Sequence, residues 1–177
     1  MAIRRRLLLG TLVALTWAGL GPLLAADQER APVAKHAGLV VEGRSGTSVL
    51  AIPQDSAGLA RATASLATEH GAHHARFEGP LLWSVIAHTG AVDASKPREQ
   101  VRQTVLVTGS DGYTVILALG EISPDFAGKP VILADHVDGQ PLAPEHLRLV
   151  VPGERRAGRS VRDVVRISVG IPQPAAR

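Results

Sequence analysis

Short runs of β-branched and other apolar residues recur between turn-forming residues from position 39 to position 169, and this punctuation limits the chain to a strand-rich fold. The runs read LVVEG, TSVLAI, ARFEG, VRQTVLVTG, YTVILAL, PVILADH, LRLVVPG and VRDVVRISV. Two Asp-Gly pairs, Asp111-Gly112 and Asp138-Gly139, separate such runs and suit tight hairpins, because both residue types tolerate positive φ. Helical signals are fewer. In GPLLWSVIAHTG, Gly79-Pro80 suits a helix start, Leu81/Val85 and Leu82/Ile86 form i,i+4 apolar pairs, and Gly90 supplies the stop. DSAGLARATASLA predicts a second helix from its Ala and Leu content. Helices do not alternate regularly with strands, so the expected class is α+β: a mainly β, mixed-sheet domain with one or two short helices.

Ahead of these runs, Arg4, Arg5 and Arg6 lead into an uninterrupted apolar stretch that closes on Leu24-Ala25-Ala26, before the first acid, Asp27. Basic, then apolar, then small is the layout of a secretory signal peptide. Gly10, Gly19, Gly21 and Pro22 make the same stretch a poor permanent span. The sequence therefore predicts a signal peptide over residues 1–25, a flexible lead-in over 26–38, one domain over 39–170 and a tail over 171–177, in a protein that is periplasmic or secreted after cleavage. Arg4 to Arg6 followed by Leu7 to Leu9 also resemble a twin-arginine export signal.

Three of the 19 basic residues belong to that leader and all 16 acids lie beyond it, so the mature domain is neutral. A neutral domain lacks the basic footprint that displaces phosphate counterions, which excludes nucleic acid as the main partner. Cysteine is absent, and with it any disulfide, thiolate nucleophile or thiolate-bound metal. Stability falls to core packing, and with 3% aromatic residues the burden lies on Val, Ile, Leu and Ala.

EHGAHHARFE gathers Glu69, His70, His73 and His74, and imidazoles suit zinc, copper or nickel. Adjacent His73 and His74 point to opposite faces of a strand, so at most two of the three imidazoles converge easily, and an exposed polar turn is the stronger reading. No Gly-x-Ser-x-Gly elbow, phosphate loop or dinucleotide fingerprint is present, and Ser110 beside Asp111 reads as a turn former. Asp125, Asp135 and Asp138 form a carboxylate pair only if folding brings them together. No residue is assigned a catalytic role.

The densest charge lies in PEHLRLVVPGERRAGRSVRDVVRISV, with Arg148, Arg155, Arg156, Arg159, Arg162 and Arg166 against Glu145, Glu154 and Asp163. Strand alternation puts Leu147, Leu149 and Val151 on one face and Arg148 and Val150 on the other. In the last run, Val161, Asp163, Val165 and Ile167 alternate with Arg162, Val164, Arg166 and Ser168. Arg148, Arg162 and Arg166 are thus expected to share a sheet face, with Arg155, Arg156 and Arg159 on the connecting loop. Guanidinium groups offer paired donors to phosphate or carboxylate, which points to a small anion; the competing reading is exposed ion pairs of little energetic worth.

These stretches, with FEGPLLWSVI, SDGYTVILALGEI, VILADHVDGQPL and HLRLVVPGERRAGRSVRDVVRISV in that order, resemble the molybdopterin-binding domain of sulfite oxidase-like oxidoreductases, particularly its small exported members. The resemblance covers residues 39 to 169. It implies a molybdopterin cofactor whose molybdenum is held by a cysteine thiolate, and a His-Gly-x-Pro-x-Arg-like segment that contacts the pterin and its phosphate. Here no cysteine exists and that segment is shortened to His146-Leu147-Arg148. The cofactor-binding residues the resemblance implies are His146, Arg148, Arg159 and Arg162; Asp111, Gly112 and Tyr113 match its Asp-Gly-Tyr turn. The redox chemistry belongs to the cofactor, so without the thiolate the chain is expected to be a noncatalytic accessory module for a small anion or a periplasmic protein partner. Two alternatives stand: a molybdopterin-dependent oxidoreductase without a cysteine ligand, and a histidine-based metal-binding protein.

Overall fold

The computed structural model describes residues 38–67 and 74–172. The leader, most of the lead-in, Glu69, His70, His73 and the end of the tail lie outside the described residues. Among the described residues, no helix is long and apolar enough to cross a membrane.

The chain is mainly β. Strands β1 (Leu39–Gly43), β2 (Gly46–Leu50), β3 (Arg61–Ala67) and β4 (His74–Pro80) precede helix α1 (Leu82–His88) and the short turn α2 (Pro97–Gln100). After them come β5 (Thr104–Gly109), β6 (Thr114–Ala118), α3 (Leu119–Ile122), β7 (Ile132–Ala134), β8 (His136–Val137), β9 (Gln140–Pro141), β10 (Arg148–Val150) and β11 (Val164–Gly170). Single 3-10 turns lie at Gln54–Ser56, Pro144–His146 and Ala157–Arg159.

Three sheets result, with strand orders β2-β1-β11-β5-β6, β10-β7 and β3-β4-β8-β9. Among the described residues only the β1/β11 pair is parallel, so the main sheet is mixed. Its inner face carries Leu39, Val41, Val105, Val107, Val115, Leu117, Ile167 and Val169, all buried against Leu82, Val85 and Ile86 of α1. The β7–β10 ribbon divides this core from a second one. Leu133 and Leu149 face the first core, whereas Ile132, Ala134 and Val150 pack with Phe77, Ala64 and Leu66 of β3 and β4. A ribbon buried on both faces explains why VILA and LVV are continuous apolar runs rather than alternating ones.

The hairpin signals act as the sequence predicts. Asp138 and Gly139 both take positive φ (48° and 78°) between β8 and β9, and Gly112 does so (79°) between β5 and β6. Helix α1 ends where Gly90 enters the left-handed region at φ 69°.

Two local expectations are corrected. Residues 61–67 of DSAGLARATASLA form strand β3, paired along its whole length with β4, and only Gln54–Ser56 turns helically. Buried Ala64 and Leu66 alternate with exposed Thr63 and Ser65, and tertiary pairing overrides the helical preference of Ala and Leu. Gly79 and Pro80 close β4 instead of opening α1. A side chain at Gly79 would meet the backbone of β7, with Leu133 O at 2.2 Å from an added Cβ.

Candidate functional site

The Val-Pro-Gly turn and the loop after it carry the arginines from β10 of the ribbon to β11 of the main sheet. Arg148 and Arg166 therefore stand in different sheets, and Arg162 lies before β11 begins. The shared arginine face expected from alternation is not formed. A β-bulge between Val164 and Arg166 is one reason: it shifts the register, so Val161, Val164, Ile167 and Val169 are the buried positions.

Each arginine has its own surroundings. Arg148 lays its guanidinium over the Phe77 ring at 5.0 Å from the centroid, beside the second core. Arg159 donates from Nη1 and Nη2 to the two Glu121 carboxylate oxygens, both at 3.2 Å, and from Nε to Glu154 at 2.6 Å. These hydrogen bonds hold the Glu121 carboxyl below its ordinary range. Arg166 pairs with Glu42 of β1, which also accepts from Ser168 Oγ at 2.9 Å. Arg155, Arg156 and Arg162 are exposed on the connection or just after it. Glu121 and Glu42 are the partners that sequence reasoning missed, because each is more than thirty residues away along the chain.

His146 stands apart from this set. Its Nδ1 lies 2.8 Å from Asp163 Oδ1, and both residues line a cleft of about 380 Å³ with Ser110, Glu145, Gln54 and an apolar floor. Asp163 takes φ 49° at the entrance to the bulged strand, and its carbonyl accepts from Ser110 N at 2.9 Å. Tyr113 of the Asp-Gly-Tyr turn donates its hydroxyl to Gly158 O at 2.7 Å, pinning the arginine-bearing connection to the β5–β6 hairpin.

The most enclosed charge was singled out in the sequence only as one of three aspartates. Asp135, 1% exposed, accepts from Arg61 Nη1 at 3.0 Å and Nη2 at 2.6 Å, and its Oδ1 lies 2.8 Å from His136 Nδ1. Burial pushes this carboxyl up, but the hydrogen bonds and charges of Arg61 and His136 outweigh it and hold the carboxyl below its ordinary value. Asp138 instead accepts from Arg76 N at 2.8 Å, which holds the β8–β9 hairpin against β4. Each of these two carboxylates has a structural partner. Among the described residues, no group of three His, Cys, Asp or Glu side chains is placed to hold a metal; His74 is exposed on β4.

The mixed sheet, the buried ribbon and the short helices define a mainly β domain of the α+β class. The chain belongs to the oxidoreductase molybdopterin binding domain family, whose model matches residues 54–174. No curated protein matches the chain. The β1–β2 hairpin precedes the matched residues but completes the main sheet.

The residues present do not fit that family's cofactor as the resemblance describes it. Molybdenum bound through a thiolate requires a cysteine, and the chain has none. A pterin phosphate requires converging cationic donors, yet Arg148 and Arg159 are turned to Phe77 and to Glu121 and Glu154. His146 faces a cleft whose other charged groups among the described residues are Asp163 and Glu145.

Proposed function

We propose that this chain is an exported, noncatalytic accessory module: the molybdopterin-binding scaffold kept for its shape, with the cofactor chemistry gone. The observation that carries this reading is the missing cysteine in a chain of the molybdopterin binding domain family, where the resemblance to sulfite oxidase-like members implies a thiolate on molybdenum. The leader over residues 1–25 supports a periplasmic or secreted location, with 39–170 as the folded unit. The dispersal of the arginines favours a partner protein over a small anion. A small anion needs donors within one cradle, whereas Arg155, Arg156 and Arg162 are spread along a surface suited to steering an acidic protein face.

The test is native mass spectrometry with elemental analysis of protein exported from a molybdenum-replete host. The expected result is a mass equal to the bare processed chain. Stoichiometric molybdenum with a pterin-sized adduct would overturn the reading and restore a cysteine-free oxidoreductase. Zinc or copper lost on replacing His70, His73 and His74 with alanine would establish the metal-binding alternative instead. For the partner surface, charge reversal of Arg155 and Arg156 to glutamate is expected to slow capture of an acidic periplasmic partner at least tenfold at low salt, while leaving stability unchanged. Equal association rates for the variant and the parent chain would remove that surface from consideration.

A further inference from the structure

The cleft beneath His146 has a chemistry that neither the family match nor the arginine surface accounts for. Leu39, Leu50, Ile52, Leu147 and Val164 form its floor, and each is less than a tenth exposed. Its mouth carries Asp163, Glu145 and His146, and among the described lining residues there is no lysine or arginine. His146 Nδ1 lies 2.8 Å from Asp163 Oδ1, so two carboxylates and one imidazole meet at the mouth. The left-handed backbone at Asp163 and the Ser110 N–H on its carbonyl fix that residue where the cleft opens.

Acceptors and negative charge above an apolar floor select a molecule with an apolar body and a cationic head. A phosphate or carboxylate would meet two carboxylates at the same place, and a wholly apolar molecule would make no use of them. A volume of about 380 Å³ is that of a small-molecule site. We propose that this cleft binds a small organic ammonium ion, with its hydrocarbon body on Leu50, Ile52 and Leu147 and its ammonium group on Asp163 and Glu145. Gly38, Leu39, Leu50, Ala51 and Ile52 precede the matched residues 54–174, so the site draws on β1, β2 and the residues beside them, and it meets the arginine-bearing connection only at its ends, Leu147 and Asp163.

The probe is 2-phenylethylamine, titrated calorimetrically into the full chain beside 2-phenylethanol and phenylacetate, which keep the aromatic body and change the head. The amine is expected to bind about tenfold more tightly than the alcohol, as a charge-assisted hydrogen bond replaces a neutral one, and phenylacetate is expected not to bind. Asp163→Asn should remove about tenfold of the amine's affinity and leave the alcohol's unchanged, since asparagine also tolerates positive φ and the fold is preserved. Glu145→Gln, on an exposed turn, is a second variant with the same expected direction. No amine binding at millimolar concentration, equal binding of amine and alcohol, or amine binding untouched by both variants would each overturn the proposal.

Discussion

Replacing Arg61 with leucine is expected to lower the unfolding free energy by about 2–3 kcal/mol, measured by urea denaturation at neutral pH. The cause is the carboxylate left behind rather than the lost attraction. Asp135 is 1% exposed and takes two of its hydrogen bonds from this one guanidinium, so the variant buries a charge with only His136 beside it. Arg61 is itself a third exposed, which admits some water to the orphaned group and keeps the loss at the lower end of the range for broken buried pairs. If this account holds, Asp135→Asn in the Arg61→Leu background regains part of the lost stability, although it removes a second native side chain. A loss below about 0.5 kcal/mol for Arg61→Leu, or no recovery in the double variant, would show that the pair is not what holds β3 to the β7–β8 junction.

The same carboxylate fixes the sign of a pH dependence. Its folded value lies below its ordinary one, so the folded protein binds this proton less readily than the unfolded chain does. The stabilisation is therefore fully present above about pH 4 and is lost as the pH falls through the lower folded value. Arg61→Leu should flatten that acid limb relative to the parent chain.

Gly79→Ala is expected to destabilise the domain by about 3 kcal/mol through overpacking. An added Cβ would lie 2.2 Å from Leu133 O and 2.6 Å from Ala134 Cα, and both are backbone atoms of β7. Neither can swing aside as a long side chain would, so β4 must separate from the ribbon on which both cores rest. Gly158→Ala is the matched control: nothing lies within 4 Å of its added Cβ and its φ is not positive, so thermal denaturation should show little change. Similar losses at the two positions would sink the steric account.

Much of this architecture is legible along the chain because it is written in local periodicity and turn chemistry. The strand runs, the Asp138-Gly139 hairpin and the Gly90 stop each depend on a handful of consecutive residues. Strand β3 reads as helix along the chain, because its Ala and Leu residues favour helix, and only pairing with β4 decides for the strand. The candidate site is far less legible. A single bulge at Val164 exchanges the faces of the arginine-bearing strand, and nothing local assigns β10 and β11 to separate sheets. The partners of Arg61, Arg159 and Arg166 are 74, 38 and 124 residues away. Ion pairs of that separation are properties of the folded topology, so the arginine cluster of the sequence becomes dispersed once the chain closes.

That closure also sets an order of events. Strand β11 occupies the middle of the main sheet, between β1 and β5, and is the last strand to leave the ribosome among those described. Until it arrives, the β1–β2 and β5–β6 hairpins are separate ribbons with open edges and half-covered apolar faces. The main sheet therefore cannot be completed until its last described strand has been made. The strand that joins the two halves of the main sheet is thus the one that a truncation near the C-terminal end of the described residues would remove first.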